Sequence, residues 1–181
     1  RNSSRAKIIG ELRAAGVDVW VRGWGWPAGR LTQEEAVRGV SRSKINLNLN
    51  ERPSLLNLHV IARLFLKKSV NRIVPDLHLS RNFAAYRRFA IPHIHARPFE
   101  LAGCKAFTIS GYAEGMTDYY AEGNEMAFYR TDGELIEKIR YYLAHEEERR
   151  LMASAAYERT LREHTYEKRF RDIFEKMGLL R

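Results

Sequence analysis

Apolar residues recur along this chain with two periods, and the switch between them outlines its elements. Ile8, Ile9 and Leu12 share one face of a helix over about residues 5–15, and the following Gly16 is a helix stop. Val17-Asp18-Val19-Trp20-Val21 then alternates with period two and predicts a strand with Trp20 in the core. The glycines and proline of Gly23-Trp24-Gly25-Trp26-Pro27-Ala28-Gly29 exclude regular structure there. Thr32, with Glu35 three residues on, forms a capping box for a helix through Val40, and Lys44 to Asn50 alternates again as a second strand.

Between residues 51 and 92 the pattern predicts a largely helical insertion. Leu55 to Leu66 reads as an apolar helix, Asn71 to Pro75 as a short strand or turn, and Asn82 to Phe89 as another helix. From Arg97 the periods are cleaner. A helix over Pro98 to Gly103 leads into a buried strand, Ala106-Phe107-Thr108-Ile109, then a glycine-containing turn, a short helix from Met116 to Ala121 and a strand from Met126 to Tyr129. Asp132 is the expected cap of a helix whose Leu135, Ile136, Ile139, Tyr142 and Leu143 recur at helical spacing. Two helices follow, Glu146 to about Glu163, and Tyr166 to Met177 capped by Thr165.

Strands separated by helices of this length require parallel pairing through crossovers. The expected fold is therefore α/β, a Rossmann-like parallel sheet with helices on both faces, forming a single domain over residues 1–181. Such sheets bind ligands at the carboxyl ends of their strands. The chain opens on a helix and has no initiator Met, so it reads as part of a longer protein, with the first strand upstream.

Composition narrows the class. Hydrophobic residues make up 45% of the 181, enough for one sizeable core, and no apolar run approaches the ~18–20 residues of a membrane span. Cys104 is the only cysteine, which excludes an internal disulfide and a multi-thiolate zinc site; a reducing cytoplasm is the expected compartment. The net charge of +9 suits phosphate-rich partners, whether nucleotide, nucleic acid or an anionic membrane surface. Much of the basic content alternates with acids on solvated helix faces, so the surplus falls in the stretch Arg63 to Arg88 and in the last helix.

The segment Arg97-Pro98-Phe99-Glu100-Leu101-Ala102-Gly103, followed by an apolar strand, places Arg97 and Glu100 at a helix amino terminus. There the helix dipole favours an anion, and a carboxylate can accept two hydrogen bonds from a ribose diol. An ion pair between the two at a helix start is an equally good reading of the residues alone. The glycines of Ser110-Gly111-Tyr112-Ala113-Glu114-Gly115 fit either phosphate contact or an ordinary strand-to-helix turn. His164-Thr165-Tyr166 reads as a helix cap.

The order of these pieces resembles the donor-binding, carboxyl-terminal half of GT-B glycosyltransferases, in the spore-maturation-protein-like branch of group 1. The matching residues are Arg97, Phe99, Glu100, Ala102 and Gly103; the strand Phe107-Thr108-Ile109-Ser110; and Asp118 through Glu125. Glu134 to Leu143, Glu148-Arg149 and His164 through Arg169 match as well. Upstream, Gly23-Trp24-Gly25-Trp26-Pro27, Gly29-Arg30 and Ser43 through Asn48 are similar too, so roughly residues 51–92 alone fall outside the resemblance.

The resemblance implies a nucleoside diphosphate sugar as donor substrate, with no tightly bound cofactor. Glu100 would hold the ribose, Arg97 would lie near the diphosphate, Gly111 and Gly115 would offer backbone N–H groups, and Asp118 would contact the sugar or cap the site. It implies no metal, in keeping with the lack of an Asp-x-Asp pair, and an unknown acceptor bound by a separate amino-terminal half. Two positions depart from the pattern: Pro92 stands where many retaining enzymes carry a second glutamate, and His95 stands where the branch has lysine. Stereochemistry is thereby left open. A non-catalytic nucleotide-binding or protein-interaction module of the same fold remains a rival, as does nucleic-acid binding by the Arg63 to Arg88 stretch.

Overall fold

The computed structural model describes residues 3–50, 61–62, 64–69, 72–89 and 93–179. Most of the predicted helix Leu55 to Leu66, with Arg63, Asn71 and Pro92, lies outside these residues. Helix α1 (Ser3–Ala14) ends as predicted: Gly16 takes φ +80°, and the Gly16 and Val17 N–H groups donate to the Arg13 and Leu12 carbonyls, both at 3.0 Å. Helix α2 (Gln33–Arg42) starts on the Thr32–Glu35 capping box. Strand β1 (Asn46–Asn48) follows it.

The segment 17–21 corrects the sequence expectation in part. Its side chains alternate, with Val17, Val19 and Val21 half-buried and Asp18 and Trp20 exposed, but it joins no ladder among the described residues. Alternation reports which side faces the core, whereas a ladder needs a neighbouring strand in register. Trp20 belongs to the outward set and is 51% exposed, so it is not a core residue; its ring lies over Gly39 of α2 and under the Arg22 guanidinium.

After β1, strands β2 (Leu66–Ser69) and β3 (Arg72–Pro75) form an antiparallel hairpin, and helix α3 (Leu79–Phe89) follows. An insertion expected to be largely helical thus contains a hairpin. Asp76 ties the unit together. Its N–H donates to the Phe65 carbonyl (2.8 Å), its buried carboxylate accepts from His78 Nδ1 (2.7 Å) and Arg81 Nη2 (2.8 Å), and Asn82 Nδ2 donates to the Leu64 and Asp76 carbonyls.

The main sheet is completed by α4 (Arg97–Gly103), β4 (Thr108–Gly111), α5 (Met116–Tyr119), β5 (Ala127–Tyr129), α6 (Asp132–Ala144) and α7 (Glu146–Arg159). The α6 cap is Thr131, which accepts from the Glu134 N–H, one residue before the expected Asp132. The described strands of this main sheet are parallel in the order β1-β4-β5. Helices cover both faces, because successive strand residues point opposite ways. Ile109, Ala127 and Tyr129 pack with Leu12 of α1 and with Leu135 and Ile139 of α6, while Phe128 packs with Ala102 of α4 and with Met116 and Tyr120 of the α5 region. A fully buried Phe128 or Ile109 contributes about 1.5–3 kcal/mol. Arg149 on α7, only 6% exposed, is satisfied by donating to the Tyr142 and Leu143 carbonyls at the end of α6.

Helix α7 runs into one π-helical turn, Thr160–His164, before α8 (Tyr166–Lys176), capped by Thr165 as expected. Among the described residues no helix is long and apolar enough to cross a membrane.

Candidate functional site

Because β1, β4 and β5 run the same way, their carboxyl ends meet on one edge, at Asn48, Gly111 and Tyr129. Buried amide and hydroxyl groups knit that edge. Asn48 Nδ2 donates to Ser110 Oγ (2.9 Å) and to Asn50 Oδ1 (3.1 Å), and Asn50 Nδ2 donates to the Gly111 carbonyl (2.8 Å). Gly111 is required here by close approach rather than by backbone conformation: a Cβ would sit 2.8 Å from Asn50 Cβ and 3.1 Å from Asn50 N. Beyond β4, Gly115 takes φ +79° as the residue preceding α5, a left-handed conformation that favours glycine. Tyr112 lies beneath the Arg130 guanidinium (4.3 Å), and Arg130 grips both Glu122 oxygens at 3.1 Å.

Helix α4 leads into β4, so its amino terminus lies toward the same carboxyl edge. Arg97 and Glu100 stand there on exposed positions, with Arg97 Nε 3.7 Å from Glu100 Oε2. Both remain more than half exposed, and so wide a surface pair holds neither firmly. The backbone is less generous than the sequence suggested. The Phe99 and Glu100 N–H groups already donate to the Ala96 carbonyl, at 3.0 and 3.1 Å, and Pro98 has no N–H. At this helix start the exposed Arg97 side chain is therefore the cationic group on offer.

Phe99, between these two residues, faces inward and joins α4 to α5. Its ring meets Tyr119 edge-on at 5.4 Å and His164 at 5.3 Å, and the Arg169 guanidinium stacks on it at 4.1 Å. His164 Nε2 lies 3.1 Å from the Tyr119 carbonyl oxygen. The Tyr120 hydroxyl bonds Thr160 Oγ1 at 2.7 Å, and burial pushes the Tyr120 phenol above its usual range. Arg159 adds an ion pair to Glu125 (3.0 Å) and donates to the Asp118 carbonyl (2.9 Å). The π-turn and the start of α8 thus clasp α4 and α5 together, and His164 is packed among aromatic rings rather than open to solvent. Asp118 keeps an exposed side chain near Gly115.

Of the residues singled out in the sequence, Gly115 and Asp118 stand side by side, Gly111 closes the strand edge, and Arg97 and Glu100 open the helix that feeds it. Asn48, Asn50 and Ser110 were not singled out, although the row Asn46, Asn48, Asn50 was a signal: strands of a parallel sheet covered on both faces are normally apolar throughout. An open groove on α2, lined by Thr32, Gln33, Glu34, Val37 and Arg38, contains none of these groups. Among the described residues no cluster of three or more His, Cys, Asp or Glu is placed to hold a metal ion.

A family model described as glycosyl transferase-like matches residues 59–175, which include Arg97, Glu100, Gly111, Gly115 and Asp118. No curated protein and no solved structure matches the chain.

Proposed function

The chain belongs to the glycosyl transferase-like family, and from that membership we propose that it is the donor half of a GT-B enzyme of the spore-maturation-protein-like branch, binding a nucleoside diphosphate sugar at the carboxyl edge of its sheet. The observation that carries this reading is Glu100. It is an exposed carboxylate in the first turn of α4, held among the described residues by a 3.7 Å pair to Arg97, and so placed to accept both hydroxyls of a ribose. Arg97 is the cation for the diphosphate. As the glycosidic bond breaks, negative charge grows on the departing diphosphate, and a guanidinium brought beside it lowers the barrier.

Gly111 lets Asn50 close the strand edge beneath the donor, Gly115 keeps the β4–α5 turn free of a side chain, and the Asp118 carboxylate is available to sugar hydroxyls. The acceptor and the base that activates it belong, on this reading, to a second half outside residues 1–181. Isothermal titration of the chain with UDP-, GDP- and ADP-sugars tests the proposal. Saturable binding of one base class is expected, and an absence of heat with every one of them refutes it.

A further inference from the structure

The arginines of α7, the π-turn and α8 are matched to acids, with one exception. Arg149 pairs with Glu146, Arg150 with Glu147, Arg159 with Glu125 and Glu163, Arg162 with Glu163, and Arg171 with Glu167. Arg169 makes no ion pair among the described residues, and its Nη2 is buried without a hydrogen-bond partner. A buried guanidinium N–H that donates to nothing is destabilising, so another contact holds the side chain there. That contact is aromatic: the guanidinium lies 4.1 Å from the centre of the Phe99 ring and 5.9 Å from that of Tyr119.

Phe99 carries that contact to the candidate site, because it immediately precedes Glu100 in the first turn of α4. Little else fixes this turn. Ala96, the residue before the helix, offers no side-chain cap, and the Arg97–Glu100 pair is wide and exposed. The Phe99 ring, by contrast, is packed against Tyr119 and Tyr120, both at 5.4 Å, and His164 at 5.3 Å, with the Arg169 guanidinium on it. Successive side chains of a helix leave it about 100° apart, so holding Phe99 inward sets the direction in which Glu100 projects.

We propose that Arg169 is a positioning residue for Glu100: stacked on Phe99, it pins the first turn of α4, and with it the carboxylate, to the carboxyl-terminal helices. The use of that position in binding rests on the nucleotide-sugar reading; the pinning itself does not.

Amide hydrogen exchange of the full 181-residue chain tests the pinning. The Phe99 and Glu100 N–H groups donate to the Ala96 carbonyl and are released when this turn opens. Arg169→Gln should speed their exchange about two- to thirtyfold relative to the β4 amides, the factor that a cation–π contact is worth. Tyr120→Phe is the control: it removes the hydroxyl bond to Thr160 but keeps the ring beside Phe99, so it should loosen the clasp without changing that ratio. On a Phe99→Leu background, Arg169→Gln should have no further effect. If Arg169→Gln does not fold, Arg169→Lys, which keeps the charge and loses the planar guanidinium, is expected to shift the ratio the same way. An unchanged ratio in the Arg169 variant overturns the proposal, as does an equal rise in Tyr120→Phe or the same acceleration without Phe99. In calorimetry, removing the ribose diol from the nucleotide should weaken binding to Arg169→Gln less than binding to the native chain, by at most the factor seen in exchange, and should act on Tyr120→Phe as on the native chain. Equal diol dependence in Arg169→Gln and the native chain overturns the positioning of Glu100. If the native chain binds no nucleotide, the nucleotide-sugar reading fails and the exchange ratio alone decides the pinning.

Discussion

Replacing Gly111 with alanine tests the packing of the strand edge on which the site is built. The added Cβ would meet Asn50 Cβ at 2.8 Å, Asn50 N at 3.1 Å and the Tyr129 hydroxyl at 3.3 Å. Carbon atoms rest at about 3.5–4.0 Å, so the first contact is short by about 1 Å. Asn50 cannot swing aside cheaply, because its amide donates to the Gly111 carbonyl and accepts from Asn48. Overpacking of this kind costs about 1–3 kcal/mol. Gly103→Ala is the control: it lies at the end of helix α4, has no positive φ and meets nothing within 4 Å. Both variants remove the same unfolded-state freedom, a gain of about 0.4–1 kcal/mol, so the difference between them isolates the clash. For a chain of this length 1 kcal/mol moves Tm by about 2–4 °C, and Gly111→Ala should melt about 2–12 °C below Gly103→Ala. Differential scanning calorimetry of the two side by side is the assay. Equal melting temperatures would refute the packing described at the β4 edge.

Three further outcomes follow from the same geometry. Tyr120→Phe removes a buried hydroxyl whose partner Thr160 keeps a bond to the Ala156 carbonyl, so urea denaturation should show a loss of only about 0.5–1.5 kcal/mol. Gly115→Ala forces a Cβ into left-handed backbone at a cost of about 1–2 kcal/mol, and Gly115→Asn should recover part of it in the same measurement. Hydrogen bonds from the His78 ring and backbone hold the Asp76 carboxyl at about 2, below its ordinary 3.8. A depressed carboxyl stabilises the fold fully above 3.8, and that stabilisation is lost as pH falls toward 2. Urea midpoints of the native chain should therefore fall through that window, and those of Asp76→Asn should fall less.

Much of the sheet was legible because period and punctuation agree. The Gly16 stop, the Thr32–Glu35 box and the helical spacing of Leu135, Ile139 and Tyr142 are local signals that tertiary structure had no reason to override. Residues 17–21 mark the limit of such reasoning, since their alternation correctly separates Val19 from Trp20 yet says nothing about a strand partner. The hairpin was hidden because Leu66 closes an apolar run that fits a helix equally well, and short apolar runs do not carry their own period. At the site, Arg97, Glu100 and Gly115 followed from helix-start and turn chemistry. Asn48, Asn50 and Ser110 did not, because their bonds join residues about 60 positions apart. Nor does sequence disclose that the Ala96 carbonyl has already taken the first N–H donors of α4.

The claim that Glu100 holds the ribose is tested most directly by a binding cycle. Glu100 is exposed and only loosely paired, so Glu100→Gln should leave stability within about 0.5 kcal/mol. Its binding should be weaker, since each charge-assisted hydrogen bond to the diol contributes about 1.5–3 kcal/mol. Calorimetry would compare the native chain and Glu100→Gln, each with the preferred nucleotide and its 2′,3′-dideoxy analogue. The account predicts that removing the diol weakens binding to the native chain about a hundredfold or more and has a much smaller effect on the variant. Equal losses in both proteins would contradict it.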